Sequence, residues 1–513
     1  MQKNTVNQLT QQIITFYNEY DLRVSGKINN QTAFQLIETI ERTYQTDAIR
    51  LSDGTRLWNI LRVFLYSNFQ KLGEQTAKKK LNKNTIKSLT SLAKESLIPL
   101  QLPRHITVCG FSGHQSRKLL NGTYYDIYLD PLYDLLGDSL AVFEWPEDTG
   151  CRRKYDKPVY SRQYVPMHIP MFTKTFWVLL FHQLTGRRNF TVQSEDVLTE
   201  IIGFISTTAS VDKARLTKDI YDFITVFVYI KQFLHNVLKK IQPKAVLIRC
   251  GYGRFPMALS QACRELQIPS IELQHGCITS YLPAYRRSTR TENKDCIPEY
   301  LLAHGEIYAD MVRNGNLFDP DKVFSVGYPY LQKTLTEKRI IHDKRALSSP
   351  FAYNILFTSQ WIIAVEIQDF LIKVSEQLER DHMDVGIMYK PHPLDKNDYS
   401  ELTNHKHIIL VDKYEDTFQL FPLIDIHSTA FSTSGLEAMA FGKPNIFVDI
   451  YKMMYNPDTQ YIVTSPTQFI ESVKNILSNY ADAVAENKAI ADLFFTPIPE
   501  KHFKDFFVRL GLM

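Results

Sequence analysis

The chain has 513 residues, 44% hydrophobic and 22% charged, with 59 basic against 55 acidic side chains. This is globular composition with length for roughly two to four domains, and its near charge balance offers no electrostatic case for a nucleic-acid partner. Six cysteines without a CxxC pair, a polar start and no long uninterrupted apolar run exclude a disulfide framework, a signal peptide and a membrane span, so a cytoplasmic protein in a reducing compartment is expected.

Residues 1–102 read as a helical N-terminal extension, with apolar side chains at helical spacing in TAFQLIETIERTYQTD and TRLWNILRVFLYSNFQKLG. Lys78, Lys79, Lys80, Lys83 and Lys87 follow. They read as a solvated helix face, or as a basic surface through which the chain would associate peripherally with anionic lipid or meet an anionic acceptor. From 103 to 295 the pattern becomes strand–loop–helix–strand, as in KAVLIRCGYGR, FPMALSQACRELQI and PSIELQHG. From 296 to 480 the same rhythm continues through EYLLAHGE, KVFSVGYP, YNILFTSQ, DVGIMYKPHP, HIILVDK, DIHSTAFSTS and PNIFVDI. Helices close the chain over 481–513. Alternating strands and helices mark parallel sheets covered on both faces. The expected fold class is therefore α/β: two Rossmann-like domains facing a cleft, with ligands outside the carboxyl ends of the strands.

The chemistry-bearing stretches fall at those strand ends. In FSTSGLEAMAFGKP, Ser432, Thr433 and Ser434 form a turn ahead of a helix, with Gly435 permitting close backbone approach. Such a turn suits an anion such as a nucleotide phosphate, and Glu437 could accept from ribose hydroxyls. The same spacing also fits a capping box between Ser434 and Glu437. In YKPHP, two prolines clamp His392 behind Lys390, so a cation and an imidazole end the strand where phosphate would sit. In LQHGCITSYLPAY, His275 ends a strand and is either a general base, a sugar contact or a turn residue, with Tyr281 and Tyr285 packing nearby. Thr358, Ser359 and Gln360 of FTSQW either cap a helix or touch phosphate. Arg117, Arg249 and Arg254 are candidate contacts to an anionic donor or acceptor, and Asp126 and Asp130 are candidate bases or loop caps. The glycine loops CGFSGHQSR and RCGYGR lack the full dinucleotide fingerprint. No DxD-type pair stands in a strand-end context, DIHS offering Asp425 alone, so neither metal nor cofactor is expected.

The ordered set QHG, LLAHGE, VFSVGYP, YNILFTSQW, YKPHP and DIHSTAFSTSGLEAMAFGKP resembles bacterial GT-B glycosyltransferases of surface-polysaccharide assembly, over about 245–480. The nearest pattern is that of capsule and lipopolysaccharide transferases using CMP-activated Kdo or sialic acid. CDP-glycerol glycerophosphotransferases are more distant, and UDP-GlcNAc 2-epimerases share the fold. The resemblance implies donor-phosphate contacts at His392 with Pro393 and at Ser432, Thr433 and Ser434, a ribose contact at Glu437, and a family-variable role for His275. Glycerophosphotransferases tend to carry an acid and a tyrosine before the serine pair, where this chain has HSTAFSTSG.

The leading expectation is a metal-independent glycosyltransferase with a nucleotide-sugar donor, CMP-linked by preference, and an oligosaccharide or lipid-linked saccharide acceptor. The donor would bind in the second half and the acceptor in the first, with His275, Asp126 or Asp130 as base. The alternatives are a UDP-sugar 2-epimerase, a polyol-phosphate transferase, and a non-catalytic nucleotide-sugar-binding component of a polysaccharide assembly complex.

Overall fold

The computed structural model describes residues 3–23, 30–69, 91–103, 106–146, 150–170, 190–337, 349–451 and 461–513, with Trp177, Phe181 and Thr185. The lysine-rich stretch 78–87 lies outside the described residues. The chain divides into two compact units, one comprising Leu22–His304, Tyr308–Pro329 and Ile498–Met513, the other Met1–Asp21, Gly305–Ile307 and Tyr330–Pro497.

The first unit carries β1 (Arg50–Leu51), β2 (Val108–Ser112), β3 (Arg117–Leu120), β4 (Thr123–Asp126), β5 (Leu140–Glu144), β6 (Tyr164–Pro166), β7 (Val192–Gln193), β8 (Ala245–Arg249), β9 (Ser270–Leu273), β10 (Tyr300–Ala303) and β11 (Val323–Ser325). Seven of these form one sheet in the order β11-β10-β9-β8-β2-β5-β6, parallel throughout. β2, β5, β9 and β10 are buried along their whole length, as strands covered by helices on both faces must be. The order reverses between β2 and β8. β3 and β4 form an antiparallel hairpin beyond the carboxyl end of β2, and β1 pairs with β7.

Local signals explain the long covering helix Lys213–Ile241. Asp212 accepts from the Arg215 N–H at its start, Lys239 and Lys240 sit in its last turn, and Gln242 takes a left-handed conformation (φ 54°) just before Pro243.

The second unit carries β12 (Tyr353–Thr358), β13 (Val385–Lys390), β14 (Ile408–Leu410), β15 (Ile426–Thr429), β16 (Asn445–Val448) and β17 (Ile462–Val463). Their order, β14-β13-β12-β15-β16-β17, is the 3-2-1-4-5-6 order of a doubly wound dinucleotide-binding sheet, and every pair is parallel. The order reverses between β12 and β15. The helices Ala364–Arg380 and Pro466–Ser478 pack through Phe370 and Phe469, whose ring centroids are 5.8 Å apart.

Two features differ from the sequence reading. The boundary expected at 296 is not where the units part: β10 lies against β9 with Tyr300 opposite Ile271, so β10 and β11 complete the first sheet. The chain ends also change units. The first helix, Lys3–Arg23, packs Phe16 and Tyr17 onto Phe447 of β16, at 5.6 and 5.7 Å between ring centroids. The last helix, Pro499–Arg509, packs Phe506 onto Tyr300 and Phe324 of the first unit. Among the described residues no helix is long and apolar enough to cross a membrane.

Candidate functional site

In the six-stranded unit, the carboxyl ends of β12 and β15 meet at the order reversal. A buried chain of hydrogen bonds joins them. Thr358 Oγ1 lies 2.8 Å from Ser434 Oγ and 3.1 Å from His427 Nε2, and His427 Nδ1 lies 2.6 Å from Asn445 Oδ1. With the amide oxygen accepting, His427 carries its proton on Nδ1, Thr358 donates to Nε2 and Ser434 donates to Thr358. Burial pushes the His427 pKa down to about 4, so the imidazole is neutral and the chain keeps one direction. A second link runs alongside: Thr429 Oγ1 donates to the Thr358 carbonyl at 2.8 Å, and Gln360 Nε2 donates to Thr429 Oγ1 at 3.1 Å.

This network holds the turn at 432–434. The helix begins at Ser434 itself, and Thr433 is the N-cap without a side-chain capping bond, so the capping box between Ser434 and Glu437 does not form. Ser434 is buried, whereas Ser432, Thr433 and Glu437 are half-buried. The N–H groups of Ser434 and Gly435 are engaged by Ser432, but those of Ser432 and Thr433 have no acceptor among the described residues. The turn therefore presents two successive N–H donors, the arrangement that receives an anion. Gly435 serves packing: a Cβ there would lie 2.7 Å from the Phe447 ring and 2.9 Å from Asn445 Nδ2. Tyr17 of the first helix donates to the Ser432 carbonyl at 2.7 Å, fixing the turn from its other side.

β13 lies beside β12, and the Ser359 N–H donates to the Lys390 carbonyl at 3.0 Å, tying their ends together. His392 is half-buried in a tight turn in which the Asp395 N–H donates to its carbonyl. The Leu394 N–H donates to His392 Nδ1 at 3.1 Å. Burial, and then Lys390, lower the His392 pKa, favouring the neutral ring. With Nδ1 accepting, the neutral proton sits on Nε2, which has no partner among the described residues. Pro393 is exposed. Lys390 departs from expectation: it is 6% exposed and its ammonium donates to the Lys413 carbonyl at 2.9 Å, bracing the strand end rather than standing at the surface. Asp425 precedes β15, at the amino end of the strands, and accepts from the Asn354 N–H.

In the seven-stranded unit, His275 follows β9, Arg249 ends β8 and Gln115 follows β2. Tyr128 links His275 and Arg249: its hydroxyl donates to the His275 carbonyl at 2.6 Å and its ring lies 5.6 Å from the Arg249 guanidinium. His275 Nε2 lies 3.3 Å from the Tyr252 hydroxyl. Burial, then the charge of Arg249, push the His275 pKa down to about 3, so it is a neutral imidazole and a weak base in this state. Below it, Glu272 is fully buried and accepts from Tyr285 at 2.6 Å; burial raises its pKa to about 7. Gly251 makes room for that carboxylate, since a Cβ would stand 2.2 Å from it. Tyr281 packs edge-on to Phe34.

The carboxylates Asp126 and Asp130 are both buried, at 0% and 2% exposure. Asp126 accepts from the N–H groups of Tyr128 and Leu129; Asp130 accepts from the Asp126 N–H and from Ser161. They brace the loop beyond the β3–β4 hairpin, and neither meets an open surface. Arg117 is buried against them with Nε donating to Glu144 at 2.7 Å, so its charge is engaged internally. Arg254 is exposed, with its guanidinium 4.6 Å from the Phe223 ring.

No protein-family model matches the chain, and no curated protein matches it. Among solved structures, the UDP-GlcNAc 2-epimerase from Neisseria meningitidis bound to UDP-GlcNAc is 14% identical, covering 78% of this chain and 99% of that one, with a TM-score of 0.47. The S. aureus MnaA–UDP structure is 12% identical, covering 79% and 97%, with a TM-score of 0.45. A structure of the wall teichoic acid polymerase TagF is 13% identical, covering 84% and 98%, with a TM-score of 0.41.

Proposed function

We propose that the chain is a GT-B glycosyltransferase that takes a sugar from a nucleotide-activated donor, CMP-linked by preference, and passes it to a surface-polysaccharide acceptor. The observation that carries this reading is the set of hydrogen-bond donors left at the carboxyl end of the six-stranded sheet, on the strands around its order reversal. The N–H groups of Ser432 and Thr433, without an acceptor among the described residues, follow β15, and the Nε2–H of His392 follows β13, the two strands that flank β12. Donors at this end of the sheet would stabilise the departing nucleotide phosphate without a metal ion. Glu437, half-buried in the first turn of the helix, suits the ribose hydroxyls. His275 in the other unit is the candidate base, and its partner Tyr252 holds Nε2.

The test is nucleotide release from a panel of CMP-, UDP-, GDP- and CDP-sugars, with chelator present, with and without saccharide acceptors. Acceptor-dependent release of one nucleotide supports the reading. Loss of sugar stereochemistry without nucleotide release would replace it with a 2-epimerase, release of a nucleoside monophosphate from CDP-glycerol with a polyol-phosphate transferase, and tight nucleotide binding without turnover with a binding component.

A further inference from the structure

Among the described residues of the seven-stranded unit, four Arg and Lys side chains are buried, and each has a carboxylate. Arg62 pairs with Glu41, Arg117 with Glu144, Lys231 with Asp53 and Glu265, and Arg287 with Asp47. That is what burial of a charge requires. Arg249 has no such carboxylate. It is half-buried, its Nε is fully buried without a hydrogen-bond acceptor, and no carboxylate among the described residues lies within ion-pair distance. Among the described residues its one side-chain hydrogen-bond contact is Gln115 Oε1, 3.5 Å from a terminal nitrogen, at the outer limit of a hydrogen bond.

The position of this guanidinium is also particular. It stands at the carboxyl end of β8, the strand beside which the sheet order reverses, where doubly wound sheets bind their ligands. Tyr128 backs it on one side; Tyr128 is stacked on Tyr328 at 5.8 Å between ring centroids, and Tyr328 in turn on His304 at 4.4 Å. A planar cation set beside a tyrosine ring, with its terminal nitrogen at an exposed contact, suits capture of a phosphate or carboxylate.

We infer that Arg249 is a specificity-determining residue that holds an anionic group, a phosphate or a carboxylate, on the saccharide acceptor. This rests on the reading of the seven-stranded unit as the acceptor half. The acceptor class that follows is an acidic saccharide or a sugar phosphate, and neutral glycans are poor ligands.

The experiment is ligand-observed NMR titration of the full chain with glycerol 3-phosphate and with glucuronate, against glycerol and glucose as uncharged partners, repeated on Arg249→Gln and Arg249→Lys. One acidic probe binds saturably and its uncharged partner does not. Arg249→Gln weakens that binding on the order of ten- to a hundredfold, the scale of a lost charge-assisted hydrogen bond, and Arg249→Lys weakens it less. The probe that binds says whether the group is phosphate or carboxylate. Equal binding of charged and uncharged probes, no binding of either acidic probe, or unchanged binding in a folded Arg249→Gln overturns the inference. Displacement of the bound probe by CMP or UDP also overturns it, since the anion would then be the donor's own phosphate. If the acidic probe binds through Arg249 while neither nucleotide binds anywhere, the anion site stands and the donor reading fails.

Discussion

Thr358 and Ser434 join the end of β12 to a helix through a single 2.8 Å contact between hydroxyl oxygens, at the point where the order of the six-stranded sheet reverses. The contact continues through His427 to Asn445, so four side chains from four segments of the chain hold one turn in place. Replacing Thr358 by Val keeps its shape and leaves Ser434 and His427 Nε2 without their partner. The expected loss is about 1–3 kcal/mol of folding stability, the penalty for unsatisfied buried polar groups, together with weaker nucleotide binding. Urea unfolding and nucleotide titration on the same preparation check both. Full stability in Thr358→Val means that the network does not hold the turn.

Gly435→Ala tests the turn from below. The new Cβ has to enter space held by Phe447 and Asn445, so the helix must lift from β16. Overpacking of this kind costs about 1–3 kcal/mol, and the displaced turn should bind nucleotide more weakly. A variant with unchanged melting and unchanged binding would show that the turn tolerates displacement.

The sequence made some of this site legible and hid the rest, for physical reasons. Parallel strands covered on both faces read as short apolar runs, and small polar residues or His-Pro at their ends stand out, so Thr358, His392 and Ser432–Ser434 could be placed. His427 and Asn445 could not: each sits within or at the start of an apolar strand, and nothing local shows that their side chains meet Thr358. The H of DIHS beside STSG was the available signal. Tyr17 is 415 residues from Ser432, and no pattern in the first helix announces the contact. Nor could the rhythm of strands and helices tell that β10 extends the first sheet, because it is the same on both sides of 296. Lys390 shows a further limit: a position at a strand end was readable, but the direction of its side chain was set by the Lys413 carbonyl.

The Tyr17 contact carries its own prediction. Tyr17→Phe removes one hydrogen bond onto the Ser432 carbonyl and keeps the ring packing on Phe447. Stability should fall by about 0.5–1.5 kcal/mol. Donor KM should rise more than kcat falls, because the turn binds rather than reacts. Steady-state kinetics with the donor found by the panel will read this; a change in kcat alone would contradict it.

His392 should act as a neutral donor. Its Nδ1 is occupied by the Leu394 N–H, and its pKa is lowered by burial and then by Lys390, so Nε2–H is the working group at neutral pH. His392→Ala should depress donor use severely with little change in melting, and His392→Gln, which keeps an N–H near that place, should recover part of it. Equal activity of the Ala variant and the parent would remove His392 from the site.

Glu272 gives a pH prediction. Burial raises its pKa to about 7 in the folded chain, above the ordinary 4.5 of an unfolded one. Between those values the folded state binds more proton than the unfolded state, so the contribution of this group to stability is full below pH 4.5, declines as pH rises, and is gone above about pH 7. Glu272→Gln cannot titrate and can still accept from Tyr285. The stability of the parent relative to this variant should therefore fall between pH 5 and pH 8 by on the order of 2 kcal/mol. Buried neutral His275 and His304 act in the opposite sense as pH falls below their ordinary value, but they are common to both proteins. Parallel stability curves across that range would mean that Glu272 is ionised in the folded state.

The central claim is that the order reversal of the six-stranded unit receives the phosphate of an activated sugar. A crystal structure of the full chain with CMP, or with whichever nucleotide the panel releases, tests it most directly. The account predicts phosphate oxygens within hydrogen-bond distance of the Ser432 and Thr433 N–H groups and of His392 Nε2. A nucleotide bound elsewhere, with that turn and that imidazole untouched, would contradict it.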